Sequence, residues 1–249
     1  MKNNPFPPLA LKQLVIGYPQ VRGSLRSELS APIDAVWSEP GIHAIIGRNG
    51  MGKSTLIRTI CGLQSPLSGE AQLREQSVQE MSASLRSSWM SFVDSTPPRG
   101  SGLTTGQILM LSKPNSHESD CRNWLNKLGH PNWWDKRLSE LSDGQAQRVM
   151  VARAAIQGAP WMILDEPTAF LDVPARAELL KLLDTMVQDG LGLLLTTHDL
   201  HLLARSSALA SIHLLNADGL NPLDVNGNAD DWEIALRVQS ESQNKWGPK

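Results

Sequence analysis

The sequence predicts an α/β fold built on a mostly parallel sheet, and three observations predict it. Short apolar runs alternate with helical patterns through the core of the chain. Three of these runs, Ile42-His43-Ala44-Ile45-Ile46, Trp161-Met162-Ile163-Leu164 and Leu193-Leu194-Leu195-Thr196-Thr197, are apolar enough to be buried on both faces. Each is followed at once by a chemically capable residue: Gly47, Asp165 and His198. In sheets of this kind, ligands collect at the carboxyl ends of the strands.

Taken in order, Leu9 to Tyr18 reads as a strand that ends in the only tyrosine of the chain. Tyr18 either packs at an edge or stacks on a purine ring, since an aromatic face can do both. Residues 19–46 carry strand-like pieces broken by Gly23, Pro32 and Pro40, which predicts a small antiparallel sheet feeding the Ile42–Ile46 strand. A helix begins near Ser54 and is stopped by Gly62 and Pro66. Gly69–Leu73 reads as a short strand. A weak helical or irregular stretch then leads to a buried strand over Trp89–Val93, and Ser95–Gly102 is a loop.

From about Thr104 to Gly158 the pattern is helical, with irregular patches over 113–119 and 129–134. Ala146–Gln157 is one of the clearest helices. Ser142 and Gln145 form a capping box at its start, and Gly158 stands where a C-cap belongs. A second strong helix spans Ala175–Gln188, with Leu179, Leu182, Leu183, Met186 and Val187 on one face. Past Leu215 the chain turns polar, a short helix is expected over Asp231–Val238, and the last ten residues are expected to be disordered. The predicted organisation is a core of residues 1–95 and 159–216 that includes the antiparallel part, a helical insertion over 96–158, and a partly disordered C-terminal extension over 217–249.

Composition narrows the class. The chain has 249 residues, with 23 Lys and Arg against 25 Asp and Glu, and a formal charge of −2. That balance gives no global attraction to nucleic acid. No apolar run approaches the roughly 18 residues needed to cross a bilayer, and Met1–Pro8 lacks the apolar core of a signal peptide. Cys61 and Cys121 are the only cysteines and have no metal or disulfide spacing. A soluble cytosolic protein is expected.

The stretch Gly47-Arg48-Asn49-Gly50-Met51-Gly52-Lys53-Ser54-Thr55 fits the phosphate-loop pattern of Gly, four residues, then Gly-Lys-Ser/Thr. Its glycines let a phosphate approach the main chain, whose N–H groups face it together with the positive end of the following helix. Lys53 adds a charge for the β and γ phosphates, and the Ser54 hydroxyl can ligate Mg²⁺. Asp165, at the rim of the sheet, can hold the same ion opposite Ser54, and Glu166 can take a proton from an attacking water. The plain alternative is that both carboxylates cap the next helix or sit in solvent. His198, at the end of a third strand, can contact the γ-phosphate.

Leu141-Ser142-Asp143-Gly144-Gln145, followed by Ala146-Gln147-Arg148-Val149, resembles the signature of ATP-binding cassette (ABC) ATPases. Ile163-Leu164-Asp165-Glu166-Pro167-Thr168 with Phe170-Leu171-Asp172 resembles their second acidic motif and dimer-contact loop, and Thr197-His198-Asp199 their switch histidine. The resemblance runs from about Leu9 to Leu215. It implies a RecA-like phosphate-loop NTPase core with antiparallel β and helical subdomains, and a catalytic role for Glu166 and His198. Nucleotide contacts are implied for Tyr18, Gly47, Asn49, Gly50, Gly52, Lys53, Ser54 and Thr55. Mg²⁺ would be held by Ser54 and Asp165. A second copy would face the first head to tail, and Ser142, Gly144, Gln145 and Asp172 would serve the shared sites.

The Leu-Ser-Asp-Gly form resembles importers of iron chelates, haem or cobalamin. It implies a permease partner, an external substrate-binding protein and a peripheral place on the cytoplasmic face of the inner membrane. An exporter cassette, or a soluble cassette protein acting on ribosomes or DNA, is the alternative. One departure stands out: where the family has a glutamine, Phe92-Val93-Asp94-Ser95-Thr96 offers Asp94 or Ser95. A serine there needs a bridging water to do what the amide does, which predicts slower turnover or altered coupling.

Overall fold

In the computed structural model, residues 6–20 and 27–243 are described, with side chains through 238. Strand β1 (Leu9–Val15) is followed by the short pair β2 (Gly17–Tyr18) and β3 (Ser27–Glu28) and by β4 (Ile33–Trp37). Then come β5 (Gly41–Ile46), helix α1 (Lys53–Ile60), β6 (Ser68–Leu73) and β7 (Gln76–Ser77). A four-stranded antiparallel sheet runs in the order β4-β1-β6-β7. The expected antiparallel sheet is therefore present, but it recruits β6 and β7 from beyond α1. Gly23, read as a breaker, lies outside the described residues.

Helix α2 (Ala83–Trp89) is capped by the Ser82 side chain, which accepts from Leu85 N–H. Trp89, expected in the next strand, is the last residue of this helix, and β8 begins at Met90 (Met90–Val93). The helices α3 (Thr105–Met110), α4 (Glu118–Lys127) and α5 (Asp143–Gln157) follow. Short 3₁₀ turns at Arg99–Ser101, Pro131–Trp133 and Leu138–Glu140 interrupt the stretches between them. The capping box of Ser142 and Gln145 is formed as read, and Gly158 closes α5 in the left-handed region.

The rest of the chain supplies β9 (Trp161–Leu164), α6 (Val173–Gln188), β10 (Gly192–Thr196), α7 (Leu200–Leu203), β11 (Leu209–Asn216), β12 (Gly219–Leu223) and α8 (Ala229–Gln243). Helix α6 starts two residues earlier than expected because Asp172 caps it, accepting from Ala175 N–H. The extension past residue 216 departs most from expectation. It contains an ordered strand and a helix of 15 residues rather than a polar tail with one short helix. Trp232 is buried at 2% exposure and its indole N–H donates to the Asp224 carbonyl, which seats α8 on the core. Of the ten terminal residues expected to be disordered, 240–243 are helical and 244–249 lie outside the described residues.

The main sheet has the order β12-β11-β5-β10-β9-β8, parallel except for β12. Strand alternation explains why the central runs are apolar throughout. Ile42, Ala44 and Ile46 enter the core shared with α6 and Trp232, whereas Ile45 enters the core shared with α1 and the antiparallel sheet. A third cluster joins α3, α4 and α5 through Leu109, Cys121, Leu125, Val149 and Ala152.

His43 points into the second face beside Trp37 and Trp161, and His213 stands edge-on to Trp37 with a ring distance of 5.7 Å. The His43 ring is matched by Ser211 Oγ at 2.9 Å and the Glu39 carbonyl at 3.1 Å. Burial lowers the pKa of His43, and burial followed by His43 itself brings His213 to about 4. Both rings are held neutral, so the unfolded chain binds protons more readily near its ordinary histidine value. Stability is therefore complete above about pH 6.5 and is lost as pH falls toward 4. Urea midpoints measured across that window should decline, and His213→Phe should flatten the decline.

Candidate functional site

The site is assembled by strand register. Thr196 on β10 pairs with Ile45 on β5, and Leu195 with Leu164 on β9, so the three strand ends stand side by side. Beyond β5 the chain forms the loop from Gly47 to Gly52. Gly52 caps α1 at φ 90°, where a side chain would be strained, and a Cβ there would crowd Leu29 and Ile16. Lys53, the first residue of α1, is buried at 7% exposure. Its ammonium donates to the Gly47 carbonyl at 2.9 Å and pairs with Glu166 Oε1 at 3.4 Å.

Asp165 is fully buried, which rules out a solvent role, and Asp172 rather than either acid caps α6. The Thr196 hydroxyl donates to Asp165 Oδ1 at 2.6 Å and accepts from Glu166 N–H at 2.9 Å. Asp165 Oδ2 is buried and has no hydrogen-bond partner among the described residues. A carboxylate oxygen left open in this way is the donor a hard divalent cation takes, so the residues present fit Mg²⁺. Glu166 has φ 46°, a left-handed conformation unusual for a side-chain-bearing residue. That turn aims its carboxylate between two cations or donors: Lys53 on one side and His198 Nδ1, at 2.7 Å, on the other.

Two clefts open at these strand ends. The first, of about 430 Å³, is lined by Tyr18, Asn49, Gly50, Gly52, Lys53, Ser54, Thr55 and Glu166. Tyr18 is half exposed on its rim and its hydroxyl lies 3.2 Å from Thr55 Oγ1, so it is not packed away at an edge. The second, of about 530 Å³, brings Gly47 and Asn49 together with His198 and with Leu236 of α8. Ser142, Gly144, Gln145 and Asp172 line neither cleft. They sit together elsewhere. A Cβ on Gly144 would fall 2.6 Å from Leu171 Cδ2, so the N-terminus of α5 lies directly against the 168–172 segment. Phe170 of that segment is half exposed, and Asp143 pairs with Arg99 at 2.9 Å.

The 94–95 position is occupied differently from a glutamine. Asp94 pairs with Arg58 of α1 at 3.0 Å, the Ser95 hydroxyl donates to Asp94 Oδ1, and Gln147 of α5 donates to the Asp94 carbonyl at 3.1 Å. Sequence reading passed over Thr196, Arg58, Gln147 and Leu236. Thr196 was visible as a hydroxyl beside the strand end that precedes His198, but its bond to Asp165 depends on strand order.

The family model for ABC transporters matches residues 34–169. The chain belongs to the ABC transporter family. A curated relative, the iron(3+)-hydroxamate import ATP-binding protein FhuC of Bacillus subtilis (strain 168), is 32% identical over 177 residues. That match covers 67% of this chain and 66% of the relative, a little under two thirds of its length. Among solved structures, the ATP-binding subunit of an ABC transporter superposes with a TM-score of 0.78 at 24% identity, covering 92% of this chain and 99% of that one. A dimeric cassette in a post-hydrolysis state bound to ADP and Pi gives 0.75 at 20% identity, covering 88% and 99%. These two likenesses establish the fold.

Thr196 generates a test of the site. Thr196→Val keeps the shape but strands a buried carboxylate oxygen and the Glu166 N–H. Chemical denaturation should show a loss of about 1–3 kcal/mol, and affinity for MgATP should fall with it.

Proposed function

We propose that this chain is the ATP-hydrolysing subunit of an importer, working as a pair of copies beneath a membrane permease. The observation that carries the reading is Glu166, held between Lys53 and His198 next to a buried carboxylate with one open oxygen. The loop N–H groups and the start of α1 receive the phosphates. Tyr18 offers its face to the purine. Lys53 then exchanges Glu166 for the β and γ oxygens, which frees the carboxylate. Ser54 and Asp165 would hold Mg²⁺, which would supply positive charge to the phosphate oxygens.

Freed from Lys53, Glu166 accepts a proton from the attacking water, and the His198 hydrogen bond holds its orientation. Ser142, Gly144 and Gln145 lie outside both clefts, which fits their use on the nucleotide of a second copy. In that arrangement the α5 N-terminus faces the partner's γ-phosphate, and Asp172 lies at the junction. The dimeric ADP-bound cassette shares the fold that this pairing requires.

The name of the Bacillus subtilis relative, an iron(3+)-hydroxamate import protein, supports uptake of an iron chelate; haem or cobalamin rests on the Leu-Ser-Asp-Gly form of residues 141–144 alone. In this reading the permease is a separate partner, fed by an external binding protein; no described helix is long and apolar enough to cross a membrane. The subunit would then sit on the cytoplasmic face of the inner membrane.

Glu166→Gln should cut ATP turnover by about 10²–10⁴-fold, while light scattering shows a dimer held by MgATP. A variant that stayed monomeric, beside an unmodified chain whose turnover per molecule ignored dilution, would sink the paired mechanism. Ser95→Gln should raise basal or transport-coupled turnover, and unchanged rates in both would overturn the expectation that serine slows this site.

A further inference from the structure

Far from the nucleotide clefts, α4, α5 and α6 leave two adjoining clefts of about 670 and 540 Å³. They share Lys127, Leu182 and Thr185 and so form one continuous groove. It lies at the opposite end of the sheet from the phosphate loop. Pro160 and Leu191, on its wall, precede β9 and β10, whereas Asp165 and His198 follow them. Along α6 the lining runs from Glu178 to Asp189, a length of about 16 Å or three helical turns.

The floor is apolar, made by Trp124, Ala154, Pro160, Leu182 and Met186. The rim is cationic. Lys127 lies over the Trp124 ring at 4.7 Å, and Lys181 projects from α6 into solvent. Lys113 Nζ lies 4.0 Å from where a Cβ on Gly158 would stand, at the far end of the groove. Opposing these are Asp189 and Glu178, and Glu178 is already paired with Arg148 at 3.0 Å. Arg148 Nε is buried beside this pair, with no hydrogen-bond partner among the described residues. His130 lines the same end, and burial lowers its pKa, so near neutral pH its ring adds little charge. With Arg148 and Glu178 matched to each other, the lining leaves two lysines, Lys127 and Lys181, against the single carboxylate of Asp189.

We propose that this groove docks an acidic amphipathic helix of a partner polypeptide. An elongated, open trough with an apolar floor suits a helix laid along it with anchors at i, i+3, i+4 and i+7. A small metabolite would instead be enclosed in a single pocket. The partner's apolar stripe covers Trp124, Leu182 and Met186. Its carboxylates meet Lys127 and Lys181. This site is independent of the nucleotide chemistry, since none of its residues lines the clefts at the phosphate loop.

The test uses the full chain and two labelled peptides about four turns long. Both carry leucine at the anchor spacing, one flanked by glutamate and the other by lysine. Fluorescence anisotropy should show the acidic peptide binding roughly tenfold or more tighter than the basic one. The pair Lys127→Glu and Lys181→Glu should reverse that preference, and Leu182→Asp should weaken both peptides. MgATP binding should be unchanged at all three positions, and thermal melts should be unchanged for the two exposed lysines, whereas Leu182→Asp, which takes a side chain from the edge of the core, should lower the melting temperature without abolishing the folding transition. Equal binding of the two peptides, or a doubly reversed variant that behaves as the parent, would overturn the proposal. So would binding of phosphatidylglycerol vesicles through the same lysines without peptide binding, since the occupant would then be a membrane. Self-association abolished by Leu182→Asp, again without peptide binding, would point to a second copy and overturn it equally.

Discussion

The structure depends on one hydroxyl bridging two strands. Thr196 on β10 holds Asp165 through a donated hydrogen bond and Glu166 through an accepted one. Asp165 is wholly buried, and among the described residues that bond is the one made to its Oδ1, while Oδ2 has no hydrogen-bond partner. Glu166 must then turn through a left-handed residue, which sends its carboxylate toward Lys53 and His198. The parallel register of β5, β9 and β10 makes these contacts possible. A slip of one residue in any of the three would put the acids on the wrong face.

Legibility in the sequence followed burial. The central strands were readable because they are covered on both faces and are therefore continuously apolar. The phosphate loop was readable because glycine and lysine have few other reasons to occur at that spacing. Helix α5 was readable because its capping box is local, written in Ser142 and Gln145 alone. Thr196 escaped because a hydroxyl at a strand end announces nothing until the neighbouring strand is known. Arg58 and Asp94 are 36 residues apart, and Gln147 is 53 from Asp94, so their bonds are products of tertiary packing.

Composition misleads in two places. Trp89 continues the apolar run of Met90, Phe92 and Val93, which reads as one strand, yet Ser82 caps a serine-rich helix that ends on Trp89. The segment past residue 216 was read as a tail because its residues are polar. Its order comes from pairing with β11 and from Trp232, a single large side chain buried among polar neighbours. Average composition is a poor guide where one residue supplies the anchor.

That tail also settles how the sheet ends. Strand β12 covers β11 on one side, and Pro222 stands within β12, opposite His213. A proline has no N–H to offer a further strand, so the ladder stops there. Removing residues 217–243 as though they were an appendage would bare the unpaired edge of β11 and the apolar surface under Trp232. The shortened protein would then carry a ready template for edge-to-edge aggregation, although every residue of the nucleotide pocket around Lys53 was still in place.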